Sequence, residues 1–193
     1  MINPESSIFL YKNGFLVIIS SRQFNKNNVY DMLNPYKEFF QSKALENFTA
    51  GVSKIHHVKE DLAHTIKESL YASSFAEEYP TSPFIAFDSL GSYQAILPFA
   101  GKPSMTSYCK KYLMPIEVYD IEKNGNLLNT LINFVKCNAN LEETGSVMSQ
   151  HKNTIRYRLK KIGEILNLNP FSLGDYEELA LAVRIYICSN KEV

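Results

Sequence analysis

The chain has 193 residues, enough for one large domain or two smaller ones that each bury a core. Twenty Lys and Arg balance 20 Asp and Glu, which excludes a chain that is basic as a whole, so any nucleic-acid signal has to be local. The three cysteines show no CxxC spacing and argue against a disulfide framework, and no apolar run is long enough for a membrane span or a signal core. We therefore expect a soluble, cytoplasmic protein.

The first ninety residues alternate between strand and helix signals. The stretch SIFLYKNGFLVIIS consists of two β-rich runs around Asn13-Gly14, a dipeptide typical of a type I′ hairpin turn. Helical patterns follow Pro35 and cover 57–79, where Val58, Leu62, Ile66 and Leu70 form one stripe, and FTAGVSKI and PFIAFDSL are typical of strands. The order β-β-α-β-α-β predicts an α+β fold for residues 1–90, with a largely antiparallel sheet.

The segment from 91 to 124 changes character. It contains short helical patterns that Pro98, Pro103 and Pro115 are expected to break. The polar stretch EKNGN at 122–126 predicts a domain boundary. We therefore expect a helical connector at 91–124 and a separate all-α domain at 125–190.

Helix signals fill the C-terminal domain. Asn126, Asn140 and Asp175 are expected to cap three helices, with Glu143 and Glu178 in capping-box positions. The helix after Asn140 is short, and a further helix is predicted at 151–166 after a turn of about three residues. A short helix, a tight turn and a longer helix together predict a helix-turn-helix.

The helix at 151–166 carries a local excess of positive charge. Residues 152–161 include five basic residues and no acidic one. On a helical wheel Ile155, Leu159, Ile162 and Leu166 share a core-facing stripe, and Arg158 lies on its flank, where we expect an acidic partner. The opposite face carries amide, aromatic and basic side chains, which suits a recognition helix in a DNA major groove.

The residue types on this outer face predict how it contacts DNA. Arg bridges guanine O6 and N7, Asn bridges adenine N6 and N7, and Lys neutralises phosphate. We predict base-edge contacts by Asn153, Arg156 and Tyr157, and phosphate contacts by Lys152, Thr154, Lys160 and Lys161. A solvated basic face on a ligand-binding or protein-interaction module is the alternative, and it predicts no salt-sensitive affinity for DNA.

The stretch TGSVMSQHKNTIRYRLKKIGEILNL resembles the C-terminal helix-turn-helix of PucR-type transcriptional regulators, which include the carbohydrate diacid regulators. The matching positions hold His151, Asn153, Thr154, Arg156, Tyr157, Arg158 and Leu159, and NLNPFSLGDYEELALAVRIY is similar to the closing segment of that family. Two positions depart from the pattern. Gly145 stands where the family often has Ala, and Gln150 replaces a usually apolar turn residue.

This resemblance implies a bacterial-type DNA-binding transcriptional regulator. Because one helix-turn-helix offers little contact area, we expect a homodimer on two half-sites, and we expect it to respond to a small-molecule effector through another domain or partner. The resemblance also implies a degenerate GGDEF-like domain before the helix-turn-helix. The segments FTAGVSKIHHVKEDLAHTIKESLYASSFA and FIAFDSLGSYQAI resemble parts of such a domain.

No catalytic, cofactor-binding or metal-binding residues are predicted. Nucleotide cyclases of the GGDEF fold hold metal ions with carboxylates at a hairpin, whereas the hairpin YKNGFLV supplies none at its turn, so a nucleotide-handling enzyme is the less favoured rival. His57, Asp61 and His64 have a spacing that would place them on one helical face. Simple solvent exposure explains that placement better than a metal site does.

Overall fold

The structure is a computed structural model that describes residues 5–12, 14–21, 33–36, 38–39, 49–57, 62–75 and 84–191. Its contacts divide the chain into two compact units, Met1–Phe87 (unit 1) and Asp88–Val193 (unit 2). In the described ranges, no helix is both long and apolar enough to span a bilayer.

A β-hairpin opens unit 1. Strands β1 (Glu5–Tyr11) and β2 (Gly14–Ser20) pair antiparallel, which confirms the predicted hairpin. The turn lies one residue earlier than predicted, because Gly14 pairs with Tyr11 as the first residue of β2. Lys12 takes the left-handed conformation that a two-residue hairpin loop requires, with a φ of 48°. Asn13 lies outside the described residues.

After the helical residues 33–36 and 38–39, a β-α-β segment follows in the described part of unit 1. Strands β3 (Ala50–Val52) and β4 (Phe84–Ala86) flank helix α1 (Leu62–Ser73), and they pair parallel as a second two-stranded sheet. The prediction of a largely antiparallel sheet therefore holds for the hairpin alone. A helical crossover allows the second strand to run in the same direction as the first, which a tight turn does not.

Helix α1 turns a different face inward from the one its apolar pattern predicts. The predicted stripe included Leu62, which is exposed, whereas Glu68 and Ala72 are buried. The Glu68 carboxylate accepts a hydrogen bond from the Lys54 backbone N–H at 3.0 Å, and its Oε2 lies 2.7 Å from His56 Nε2. These hydrogen bonds satisfy the buried carboxylate, so a polar residue can occupy the inner face.

All regular secondary structure in the described part of unit 2 is helical. A short helix α2 (Tyr93–Ile96) and a 3₁₀ turn (Leu97–Phe99) lead into α3 (Pro103–Lys123). Then follow α4 (Leu127–Lys136), α5 (Leu141–Val147), α6 (Lys152–Leu166) and α7 (Leu173–Ser189).

Helix α3 runs unbroken through Pro115, so the prediction of short interrupted helices is wrong here. Pro103 stands in the first turn of α3, where an N–H has no intrahelical acceptor. Pro115 is exposed, and solvent can satisfy the carbonyl that its missing N–H leaves unpaired. Proline therefore starts this helix and is tolerated within it.

Helix α3 packs against α7, and the two are joined by a hydrogen bond of 2.5 Å from the Tyr112 hydroxyl to the Glu178 carboxylate. Residues 91–124 thus belong to the same compact unit as the helices that follow. The contacts divide the chain at Phe87/Asp88, not at the polar stretch 122–126 where the boundary was predicted.

Asp120 caps helix α4. Asn126 stands at the predicted N-cap position, but its side chain makes no capping hydrogen bond. The Asp120 carboxylate accepts instead from the backbone N–H groups of Leu127 and Leu128, both at 2.9 Å. This cap was missed because its acceptor comes from the preceding helix, outside the local capping pattern.

Replacing Asp120 with alanine should lower the free energy of unfolding by about 1 to 2 kcal/mol, since two backbone donors at the start of α4 lose their acceptor. Urea denaturation followed by far-ultraviolet circular dichroism measures the change. The matched variant Asn126→Ala should cost clearly less. Equal losses for the two variants would contradict the assignment of the cap to Asp120.

Candidate nucleic-acid interface

Helices α5 and α6 are the first and second helices of the predicted helix-turn-helix. The Asn140 side-chain oxygen accepts from the N–H groups of Glu142 and Glu143 at 3.0 and 3.2 Å, which confirms the predicted cap of α5. The turn at 148–151 connects the helices. His151 caps α6, because its Nδ1 accepts from the Asn153 N–H at 3.2 Å.

The turn between α5 and α6 lies tightly against α5. Ser149 is left-handed, with a φ of 52°, and the Gln150 N–H donates to the Gly145 carbonyl at 2.8 Å. A Cβ added at Gly145 would stand only 2.6 Å from the Gln150 carbonyl oxygen. The glycine that departs from the family pattern therefore leaves room for the backbone of the turn.

Three apolar side chains fix the rotation of α6 about its axis. Ile155, Leu159 and Ile162 are all 0% exposed, as the predicted core stripe requires. Side chains at three- and four-residue spacing on the other side are consequently exposed, namely Asn153, Arg156, Tyr157 and Lys160. We call these four residues the outer strip of α6. It brings together the three predicted base-contacting residues and one predicted phosphate contact.

Both flanks of α6 are used within unit 2. Arg158 Nη1 donates to the Thr130 hydroxyl on α4 at 3.3 Å, so its partner is a hydroxyl and not the acidic residue that was predicted. Lys161 Nζ pairs with Glu164 Oε2 at 2.8 Å and lies 5.8 Å from the centre of the Tyr119 ring on α3. Thr154 is half-buried.

The charges near α6 differ in how far they are neutralised. Lys152 Nζ lies 2.7 Å from Glu142 Oε1, and the hydrogen bond between them lowers the pKa of that carboxyl. Similarly, the hydrogen bond to Glu164 raises the pKa of Lys161. Among the described residues, no ion pair is found for Arg156 or Lys160. These two cations are therefore the ones most available to an anionic partner.

An open concavity of about 450 Å³ adjoins the start of α6. Polar residues of α5 and the turn line it beside Lys152, namely Ser146, Ser149, Gln150 and His151. These hydrogen-bonding residues were not among the predicted contacts. Their position in the turn directly before a basic helix makes them further candidates for contacts to the DNA backbone.

The trio considered for a metal in unit 1 does not form a described cluster. His57 precedes α1, His64 is exposed within it, and Asp61 lies outside the described residues. His64 Nε2 lies 3.5 Å from Glu68 Oε1. Within the parts of the chain that the structure describes, no group of three or more His, Cys, Asp or Glu is arranged to hold a metal ion.

Comparison with known proteins supports the helix-turn-helix. Residues 127–185 match the family model described as the PucR C-terminal helix-turn-helix domain. Over 141 residues, 71% of its length, the chain is 25% identical to the DNA-binding transcriptional activator AdeR of Bacillus subtilis (strain 168), and it covers 33% of that protein. The C-terminal part therefore carries a helix-turn-helix of the PucR type, and the GGDEF-like assignment stays a prediction.

A solved structure is also similar over most of the chain. It is the crystal structure of the regulator of polyketide synthase expression from Bifidobacterium adolescentis, which is 20% identical. The similarity covers 94% of this chain and 68% of that one, with a TM-score of 0.37.

Proposed function

We propose that this chain acts in transcriptional regulation by binding DNA, with α6 as the helix that reads the major groove. The observation that carries the proposal is the outer strip of α6. It presents amide, guanidinium, phenol and ammonium groups to solvent from a helix whose opposite side is fully buried. This strip lies within the segment that matches the PucR helix-turn-helix.

The members of the strip take two different roles in the proposal. Asn153, Arg156 and Tyr157 contact base edges, where amide and guanidinium groups form bidentate pairs with adenine and guanine. Lys160 neutralises a backbone phosphate and releases counterions. Thr154 adds a hydroxyl for phosphate from the flank of the strip.

Lys152 and Lys161 are proposed to contact phosphate by giving up their carboxylate partners, Glu142 and Glu164. Each is paired with a carboxylate at the surface, and such exposed pairs contribute little to stability. A phosphate oxygen can therefore replace either carboxylate at low cost. The working form is proposed to be a cytoplasmic homodimer that places two α6 helices on two half-sites and responds to a small-molecule effector.

The second candidate is a ligand-binding or protein-interaction module that has lost DNA binding. The ion pairs of Lys152 and Lys161 favour this candidate. They already neutralise two of the four residues that are predicted to contact phosphate, with no DNA bound. The two candidates differ in salt dependence, because DNA binding through phosphates weakens steeply as salt concentration rises.

Capture of fragmented genomic DNA from the source organism, followed by sequencing, tests the proposal. We expect the unaltered chain to retain a few sites that share an inverted repeat and the Arg156→Ala/Lys160→Ala variant to retain none. The variant Lys102→Ala/Lys123→Ala removes the same charge outside α5 and α6 and should behave like the unaltered chain. No enrichment at low salt would reject DNA binding by this chain.

Replacing Glu142 with glutamine should strengthen DNA binding several-fold at low salt. The change frees Lys152 from its ion pair and removes a negative charge beside the proposed path of the DNA backbone. The slope of log affinity against log salt concentration should therefore become steeper by about one released counterion. Fluorescence anisotropy on a captured site at several salt concentrations measures both effects. Glu177→Gln, an exposed change on α7, is the control, and unchanged affinity for Glu142→Gln would place Lys152 away from DNA.

A further inference from the structure

Helix α3 carries a second apolar face that points away from the core of unit 2. Its inner face buries Cys109, Tyr112, Leu113 and Ile116. On the opposite side Met114, Val118 and Ile121 are 56%, 44% and 84% exposed. Their spacing of four and three residues places them in one line, which we call the outer stripe of α3. A packed helix does not need such a line, which is typical of a helix that meets another helix.

Charged residues on both sides of the outer stripe indicate which helix it meets. On a helical wheel Lys110 and Glu117 lie along one side, and Lys111 and Glu122 lie along the other. On each side the lysine is nearer the start of α3 and the glutamate nearer its end. Lys111 Nζ also donates to the Tyr112 hydroxyl at 3.0 Å.

The order of these charges favours one arrangement of two copies of α3. When two identical helices pack antiparallel, like sides face each other and the ends are exchanged, so each lysine meets a glutamate of the other copy. When they pack parallel, the side with Lys110 faces the side with Lys111, and lysine meets lysine while glutamate meets glutamate. The complementarity is thus internal to this sequence and requires no other partner.

We propose that the outer stripe of α3 is the surface on which a second copy of this chain docks, with the two α3 helices antiparallel about a two-fold axis near residue 115. Both copies contribute the same patch, as a two-fold interface requires. The inference rests on the proposed function only in the purpose given to the dimer, which is to place two α6 helices on two DNA half-sites. None of its residues belongs to the outer strip of α6.

The contact is expected to be weak in the absence of DNA. One pair of helices buries less surface than the roughly 1,200 to 2,000 Å² of a stable standard interface. The free chain should therefore show a concentration-dependent equilibrium between monomer and dimer. DNA with two half-sites should shift it towards the dimer, since binding both copies links them.

Sedimentation of the full chain without DNA, over a wide range of concentrations, tests the surface. We expect Val118→Asp to weaken self-association by at least tenfold, because it places a charge in the middle of the outer stripe. Leu173→Asp alters an apolar residue that is 74% exposed on α7, and should leave association unchanged. A chain that is monomeric at every concentration, or equal association of Val118→Asp and the unaltered chain, would overturn the proposal.

A charge exchange tests whether the partner is a second copy in the stated orientation. Lys110→Glu should weaken association several-fold, because it then faces Glu117 of the other copy. Adding Glu117→Lys to the same chain should restore association. A fold defect would weaken both variants alike, so circular dichroism and the recovery by the double variant separate the two causes.

Disulfide trapping distinguishes antiparallel from parallel pairing. Met114→Cys lies close to the proposed axis and should form a covalent dimer on oxidation. In Ile121→Cys the two thiols would stand about 18 Å apart along the helices and should not form one. The three native cysteines are buried, so the unaltered chain serves as the background. Equal trapping at both positions would reject the antiparallel arrangement, whatever the outcome of the DNA capture.

Discussion

Replacing Arg156 with alanine should lower the affinity of the chain for a captured DNA site by about 10- to 100-fold and remove the base preference at one position of that site. The guanidinium is exposed on the outer strip of α6, and no intramolecular ion pair is found for it among the described residues. Removing it therefore deletes a DNA contact without breaking a contact inside the protein. Anisotropy with a set of single-base variants of the captured site measures both effects.

Lys160→Ala is the matched comparison from the next turn of the same strip. A phosphate contact carries no sequence information, so this variant should bind all site variants more weakly by a similar factor. For Lys160→Ala, the slope of log affinity against log salt concentration should become shallower by about one released counterion. If Arg156→Ala also weakened all sequences equally, Arg156 would be a phosphate contact and the base-reading role proposed for it would be wrong.

Gly51→Ala should lower the free energy of unfolding of unit 1 by about 3 kcal/mol, the upper end of the range for overpacked sites. A Cβ at Gly51 would stand 1.9 Å from the Ser69 carbonyl oxygen and 2.3 Å from the Ser73 backbone nitrogen. Both atoms belong to the backbone of α1, so no side chain can rotate away and β3 has to separate from the helix. Hydrogen exchange at 50–52 and 62–73 in the full chain measures the loss locally.

Gly174→Ala is the control for the change from glycine to alanine itself. Nothing lies within 4 Å of a Cβ at Gly174, which is in the first turn of α7. That substitution should be neutral or stabilise the chain by up to about 1 kcal/mol, because alanine is the better helix former. Faster exchange for Gly174→Ala, or unchanged exchange for Gly51→Ala, would contradict the steric explanation.

The sequence predicted α6 well because its pattern is strong and local. Ile155, Leu159 and Ile162 recur at helical spacing, and the polar residues between them leave one orientation that buries the apolar side. The cap at Asn140 was equally predictable, since its acceptor and its donors lie within three residues.

The errors share a different cause, which is dependence on distant parts of the chain. The cap of α4 comes from Asp120 in another helix, and the inward face of α1 is set by hydrogen bonds from Lys54 and His56 to Glu68. Parallel pairing of β3 and β4 depends on the helix between them and not on the composition of either strand. No local pattern contains such information.

The flanks of α6 limit how much DNA sequence one copy can recognise. Arg158 is held by Thr130, and Lys161, which pairs with Glu164, is proposed to reach only phosphate, so base recognition is left to the strip from Asn153 to Lys160. At a rise of 1.5 Å per residue this strip extends about 10 Å, the length of roughly three base pairs. Three base pairs distinguish only about one sequence in 64, whereas a genome offers a million or more competing sites. Two copies on one operator raise the discrimination to about one in 4,000, so the remaining selectivity has to come from DNA shape, further copies or neighbouring binding sites.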